Sequence, residues 1–492
     1  MEDLKGKTVR GGLVKVFSQV GNLVLRLGSL VALARLLDPK DFGLVGMVLV
    51  ITGVLSLFKD FGLPTAAVQS ITITEEQKST LFWVNMLVGG ILGFLLLVMA
   101  PVLVAFYREP RLFWVTVALA CTFPLSAAGG QHYAILQREM RFVAQAVIEI
   151  LSLLLSTVVA IGMAIEGYGY WALVGSTIVG AVVSTACVWM STGWFPGPPR
   201  KGIGLRPMLR FGGTVTLNGL VVYVAYNLEK VLLGRFWGAN VLGLYGRAYQ
   251  LVNIPTENFN AAIGGVAFAS MSRLQEDPKR LTSYFLKGYS LTLGLTLPVT
   301  IGCALFADDM IFVLLGSKWQ DAAMIFRLLT PTILVFALIN PFAWLLISIG
   351  LVGRSLKIAL VIAPLVILSY IVGLPYGPNG VALAYSSAMI LWVLPHIAWC
   401  IHGTMVSFSD VLQAAGRPLL SGIVAAILAF AVQFIHGQPL SPFLRLILGG
   451  SVLLVSYLGM LLYVMRQKTF YLDLFRLLRG RSSIEEKQSV MG

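Results

Sequence analysis

Charge is what this sequence has least of. Only 12% of its 492 residues are Asp, Glu, Lys or Arg, about half the share that a soluble globular chain carries. That excludes a soluble multidomain enzyme, which could not present enough polar surface to water, and a disordered scaffold, which needs high charge and low hydrophobicity. Histidine and cysteine number four each. No His and Cys constellation has metal-ligand spacing. Cys121, Cys187, Cys303 and Cys400 all fall in apolar stretches, where they read as small buried packing residues rather than disulfide partners. Long hydrophilic segments are also missing, the largest being 193–209, 267–283 and the tail from 466. A glycine-rich phosphate loop followed by Lys and Ser or Thr is absent, so no ATPase engine is encoded.

What is abundant is apolar. Hydrophobic residues make up 57% of the chain and the mean hydropathy is +0.85. At about 20 residues per spanning helix, there is room for roughly fourteen spans, which predicts an all-α polytopic membrane protein. Fifty glycines and 21 prolines fit that solvent, since both are commoner in membrane helices than in soluble ones. The net charge of +14 and the pI of about 9.7 then belong against a membrane surface, not nucleic acid. Spans are expected near 11–36, 42–62, 80–105, 112–136, 142–165, 169–192, 210–233, 240–266, 284–307, 325–349, 355–374, 379–401, 417–436 and 443–465. The first is read as an uncleaved helix, because Arg26 interrupts its apolar run and no small-residue cleavage site follows. With the N-terminus inside, 25 of the 36 Lys and Arg fall in cytoplasmic segments, 10 fall outside and Arg26 lies within a span. That bias predicts both termini in the cytoplasm.

An internal repeat sets the architecture. VALARLLDPKDFGLVG (31–46) lies over VLLGRFWGANVLGLYG (231–246) at an offset of 200, with six identities in sixteen positions: Val31, Leu33, Arg35, Gly43, Leu44 and Gly46 against Val231, Leu233, Arg235, Gly243, Leu244 and Gly246. The two segments occupy the turns after spans 1 and 7. Six spans per half preserve topology, so the halves are parallel repeats related by an axis along the membrane normal. The expected domains are a six-helix lobe over 1–195, a linker over 196–209, a second six-helix lobe over 210–402, spans 13 and 14 within 403–466, and a cytoplasmic tail over 467–492.

Each ionisable residue inside a span costs about 2.5–3.5 kcal/mol at mid-helix and needs a reason to be there. In span 1, Lys15, Gln19, Asn22, Arg26 and Ser29 recur at spacings of four, three, four and three, which puts all five on one face of a helix. A polar stripe through an apolar helix is the pattern of a cavity lining. In span 7, Thr216, Tyr223, Asn227 and Lys230 share a face, with Asn218, Tyr226 and Glu229 on an adjoining one. Glu229 and Lys230, about 100° apart, are expected not to pair with each other; Glu229 either holds substrate or neutralises Arg26 or Lys230 across a cleft. Span 5 carries Gln145, Glu149, Ser152 and Ser156, with Glu149 expected to satisfy Arg138 or Arg141. Asn85, Gln131, His132 and Asn340 read as glue between helices. The in-span prolines Pro124, Pro298, Pro341, Pro364 and Pro395 read as packing kinks.

LARLLDPKDFGLVGM (33–47), FGLPTAAVQS (61–70) and LEKVLLGRFWGANVLGLYGRAYQL (228–251) resemble polysaccharide exporters of the Wzx type, in the WzxC-like branch of the multidrug/oligosaccharidyl-lipid/polysaccharide exporter superfamily. LQREMRF (136–142), MSRLQEDPKRL (271–281) and LLGSKWQDAA (314–323) extend the resemblance over about residues 10–360, in order. It implies two six-helix lobes around a cavity plus two further helices. It also implies the flipping of a polyprenyl-pyrophosphate-linked oligosaccharide to the outer leaflet of the bacterial cytoplasmic membrane, for surface polysaccharide biosynthesis. The partners are then that lipid-linked substrate, membrane lipids and the polysaccharide polymerase machinery, with the protein itself a monomer. Glu229 departs from the Asp expected before the Lys of the span 7 motif. Arg35, Gly43, Gly243 and Arg247 are expected to mark lobe structure.

The substrate-binding set expected on these grounds is Lys15, Gln19, Asn22, Arg26, Asn218, Tyr223, Asn227, Glu229 and Lys230. Arg26 suits a bidentate phosphate contact and Lys230 a point charge. No cofactor is called for. Proton or sodium antiport, with Glu229 or Glu149 as carrier, and the membrane potential are the drives left open. One rival reading is a cation-coupled small-molecule exporter on the same fold, which the basic stripe of span 1 disfavours. The other is a membrane-embedded glycosyltransferase or polymerase, for which only Asp308 and Asp309 resemble an acidic site and which would need a larger extracytoplasmic loop.

Overall fold

The structure is a computed structural model that describes residues 19, 21–59, 74–200, 219–435, 441–469 and 471. Ten of its helical stretches are long and apolar enough to cross a membrane, and one of them, Gly353–Ile401, contains two spans. These account for eleven of the fourteen expected. Span 1 is described at 19 and from 21 onward and span 7 from 219 onward, and span 8 is the later part of a helix, Leu228–Ser272, that breaks at Gly238, where φ is 82.

Helix starts precede the apolar runs, because hydrogen bonding sets them and not hydropathy. Span 3 (Glu75–Tyr107) opens on Thr74, whose hydroxyl accepts from the Gln77 amide while the Gln77 side chain accepts from the Thr74 amide. This is a capping box, and it satisfies donors that the first turn leaves over. Span 9 (Pro278–Leu305) opens on Asp277 and span 14 (from Pro442) on Ser441, each accepting a backbone N–H and each followed by proline at the first helical position. Span 13 starts at Phe408, nine residues before the expected boundary, in the amphipathic stretch that follows Ser407; the Ser407 and Asp410 side chains each accept the other's backbone N–H.

The chain forms two compact units. The first holds the whole first half together with residues up to Arg247, 314–321 and 363–381. At its centre the two copies of the repeat cross reciprocally. A β-carbon at Gly43 would fall on the Ala239 carbonyl, and one at Gly243 would fall on the Pro39 carbonyl. Since 39 and 43 become 239 and 243 at the repeat offset, the crossing carries each half's glycine against the other half's helix start. Only glycine permits such backbone approach. Around it, Arg247 lies 3.8 Å over the Phe42 ring, and Phe42 meets the fully buried Trp319 edge-on at 5.3 Å. The Trp319 indole donates to the Ala34 carbonyl at 2.7 Å, and Lys318 pairs with Asp38 at 2.8 Å. Gly316 turns the chain into this segment at φ 96, a conformation that glycine adopts without a β-carbon penalty.

In the same unit, the residues after span 6 are strapped to the start of span 3. The Trp194 indole donates to Glu75 at 3.0 Å, and the Trp83 indole donates to the Gly197 carbonyl at 2.9 Å. The Gly197 amide donates to Ser79, the Arg200 amide donates to Thr80, and the Arg200 guanidinium pairs with Glu76. His132 is fully buried beside this strap, with Nδ1 2.7 Å from the Thr192 hydroxyl and the rings of Phe82, Trp189 and Trp194 around it. It thereby joins spans 4 and 6.

The second unit comprises 248–313, 322–362 and the chain from 382. Span 9 is its axis. Tyr457 of span 14 donates to the Gly294 carbonyl at 3.0 Å, and span 13 lies so close that a β-carbon at Gly422 would come within 3.1 Å of Ile301 and 3.3 Å of Leu297. Phe285 and Tyr289 pack on Phe342 of span 10. Arg445 pairs with Asp309 at 2.8 Å and Arg327 pairs with Asp308, so the two acids that alone hinted at an enzymatic site are tied to structural cations. Burial pushes the Asp309 carboxyl up, while Arg445 opposes the shift. The cysteines are all free thiols, with Cys303 and Cys400 buried and Cys187 half-buried. Cys121, expected in the interior, is exposed at the joint between the two helices of span 4.

Candidate functional site

The described members of the span 1 stripe differ in what they touch. Lys15 lies outside the described residues. Gln19 and Arg26 are exposed. Arg26 makes no hydrogen bond or ion pair with a described residue, so a guanidinium stands within an apolar helix with its five donors uncommitted. Asn22, one turn earlier, is half-buried, and its Nδ2 donates to Glu149 Oε2 at 3.5 Å.

That contact corrects the expected partner of Glu149. Its carboxylate is held by the Tyr133 hydroxyl at 2.8 Å and by Asn22, whereas Arg141 sits 3.6 Å from Glu139. The reason is direction. Glu149 lies two turns into span 5 on the face that meets spans 1 and 4, while Arg141 precedes the helix and follows the turn that holds Glu139.

Span 7 is built differently. Its helix loosens into a turn at Tyr226 and Asn227 and restarts at Leu228. Three of the four residues expected on one face are linked there: the Asn227 side chain donates to the Tyr223 carbonyl at 2.9 Å and accepts from Lys230 Nζ at 2.6 Å. The Tyr223 hydroxyl donates to the Val50 carbonyl of span 2 at 3.3 Å, and Gly53 makes room for it. Asn218 lies outside the described residues. Glu229 is fully buried. Lys230 Nζ lies 4.0 Å from Glu229 Oε1, which corrects the expectation that these neighbours do not pair. Both side chains are long, and about 100° between their directions on the helix does not by itself keep their ends apart. Tyr370 lies beside the same carboxylate. An acid in a first turn is also favoured by the helix dipole.

Tyr133 is the residue that sequence reasoning missed. One tyrosine among many aromatics has no periodic signal, and only the packing of span 4 against span 5 gives its hydroxyl a carboxylate to bind. Trp319 was missed for the same reason, since it lies in a connection and finds Ala34 only through tertiary contact.

Apolar helices with ionisable side chains held inside the spans define a polytopic membrane protein of the carrier type. A family profile described as "Polysaccharide biosynthesis protein" matches residues 32–324, and the chain belongs to that family. The lipopolysaccharide biosynthesis protein WzxC of Escherichia coli K12 is 26% identical over 360 residues, 72% of each chain. The succinoglycan biosynthesis transport protein ExoT of Rhizobium meliloti is 26% identical over 317 residues, 64% of each chain. Among solved structures, an inward closed conformation of the lipid II flippase MurJ superposes with a TM-score of 0.75 at 16% identity, covering 95% of this chain and 100% of that one. The chain therefore shares the fold of that structure over nearly its whole length.

Proposed function

We propose that this chain carries a polyprenyl-pyrophosphate-linked oligosaccharide from the cytoplasmic to the outer leaflet of the bacterial cytoplasmic membrane, with both termini in the cytoplasm, and that it does so by alternating access rather than by catalysis. The observation that carries this reading is Arg26, an exposed guanidinium on a membrane-spanning helix with no partner among the described residues. A cation left unpaired at membrane depth is costly, and an anionic pyrophosphate would repay that cost through a bidentate contact. Lys230 adds a second positive charge, oriented by Asn227. The sugar occupies wet space, the polyprenyl tail stays in lipid, and rocking of the repeats changes the side of exposure.

The drive is electrostatic in this reading. A head group with about two negative charges gains roughly 4–5 kcal/mol per 100 mV on moving outward from a negative interior, so no ATP is needed. Membership of the polysaccharide biosynthesis family and the likeness to WzxC and to the succinoglycan transport protein ExoT support the substrate class. Native mass spectrometry of the purified chain tests it: wild type is expected to carry a polyprenyl-pyrophosphate oligosaccharide that Arg26→Ala strips. Wild-type protein that instead retains amphipathic cations and no such lipid would make a small-molecule exporter the better account.

A further inference from the structure

The polar trio of Asn22, Tyr133 and Glu149 is a group that the pyrophosphate reading leaves unused. Three helices deliver it. Span 1 supplies an amide, span 4 a phenol and span 5 a carboxylate, and spans 1 and 5 run close enough that a β-carbon at Gly21 would lie 3.9 Å from Ile150 Cδ1. Glu149 remains exposed although both its oxygens are engaged, one by Tyr133 and one by Asn22. Each oxygen therefore keeps a lone pair for another donor. No cation among the described residues pairs with this carboxylate, so it is not half of an ion pair there. Two further polar atoms beside it have no partner among the described residues: Asn22 Oδ1, and the hydroxyl of Ser152, one turn farther along the same face of span 5.

We infer that Asn22, Tyr133 and Glu149 form a saccharide subsite that accepts the neutral sugar attached to the pyrophosphate. The inference rests on the flippase reading and adds the chemistry of the first sugar to it. A carboxylate held by two neutral donors presents acceptors in a fixed plane, which suits a pair of adjacent sugar hydroxyls. The half-buried ring of Tyr133 offers an apolar edge for the sugar's C–H groups. Asn22 and Arg26 are four residues apart, a rise of about 6 Å along one face of span 1. The subsite thus lies one turn from the cation that would hold the phosphates, as a sugar directly bonded to pyrophosphate requires. Glu149 also rejects: a uronate or phosphorylated sugar would meet like charge, and discrimination of this kind needs a repulsive element as well as attractive ones. Tyr133 and Asn22 act as positioning residues that orient the carboxylate.

The test uses the purified full-length chain and three probes: undecaprenyl pyrophosphate, its glucosyl derivative and its glucuronosyl derivative. Wild type is expected to bind the glucosyl lipid more tightly than either of the others. Glu149→Gln should weaken the glucosyl lipid at least tenfold, leave the bare pyrophosphate unchanged and remove the discrimination against glucuronosyl. Arg26→Ala should weaken all three. If Glu149→Gln does not fold, Tyr133→Phe carries the test with a smaller, severalfold loss that is again confined to the glucosyl lipid. Equal effects of Glu149→Gln on glucosyl and bare lipids, or no effect on either, would overturn the subsite and leave the flippase reading standing. Failure of wild type to bind any of the three would remove both.

Discussion

The two copies of the internal repeat agree where they cross and differ in the polar spans beside the crossing. At the crossing, Gly43 meets the Ala239 carbonyl and Gly243 meets the Pro39 carbonyl, the same contact read from either side. In the polar stripes, Arg26 of span 1 has no partner among the described residues, whereas Lys230 of span 7 is tied to Asn227 and faces the buried Glu229. The difference separates two jobs. Backbone-to-backbone approach tolerates no side chain, so both halves keep glycine. Side chains within the spans have no such constraint, and span 1 holds a cation with no partner among the described residues while span 7 holds one oriented by Asn227.

Substitutions can break this comparison. Gly43→Val and Gly243→Val should each give the largest effect, because the new side chain meets a carbonyl and neither helix can yield alone. Overpacking of this kind costs about 1–3 kcal/mol, read as a fall in thermal stability of the detergent-purified protein. Equal losses support equivalence of the two crossings, and a silent variant on one side would end it.

Arg26→Ala should cost roughly 10- to 100-fold in affinity for undecaprenyl pyrophosphate, the equivalent of a charged hydrogen bond at about 1.5–3 kcal/mol. It should leave thermal stability within about 0.5 kcal/mol of wild type, as expected where no partner among the described residues is lost. Lys230→Ala should show the reverse balance, with a smaller loss of affinity and a stability cost of about 1–3 kcal/mol, since it strands Asn227 Oδ1 and the buried Glu229. A double-mutant cycle of Lys230→Ala with Glu229→Gln should show non-additive stabilities; additive values would mean that the 4.0 Å approach carries no coupling.

At the small end, Lys318→Ala should change stability by less than about 1 kcal/mol, because its pair with Asp38 is exposed on both sides. Trp319→Phe, which leaves the buried Ala34 carbonyl without its donor, should cost more than Lys318→Ala. The reverse order would show that the ion pair, rather than the indole, secures this segment.

Much of the fold was legible because hydropathy reports the thickness of the bilayer. The expected span 142–165 matches the helix Phe142–Ile165, and 443–465 matches 442–464 within a residue. Boundaries drifted where a polar cap starts the helix ahead of its apolar run, as at Thr74, Asp277 and Ser407. The site was legible only as stripes. Periodicity placed Asn22 and Arg26 on one face, and Tyr223, Asn227 and Lys230 on another. It gave the wrong partner for Glu149 and no pairing for Glu229, because both depend on where a neighbouring helix or a local break puts the other atom.

The sequence by itself determined that this protein lives in the membrane, that the segment 31–46 recurs at 231–246, and which helices carry charge within their apolar runs. Each of these follows from composition or period, properties that a chain has before it folds. Tertiary structure alone decided that Gly43 and Gly243 answer each other across the repeat, that Trp319 returns to Ala34, and that Glu149 belongs to Tyr133 and Asn22. A hydrogen bond acts over about 3 Å, and residues on different helices, 16 positions apart for Tyr133 and Glu149 and 285 for Ala34 and Trp319, come within that distance only when helices pack.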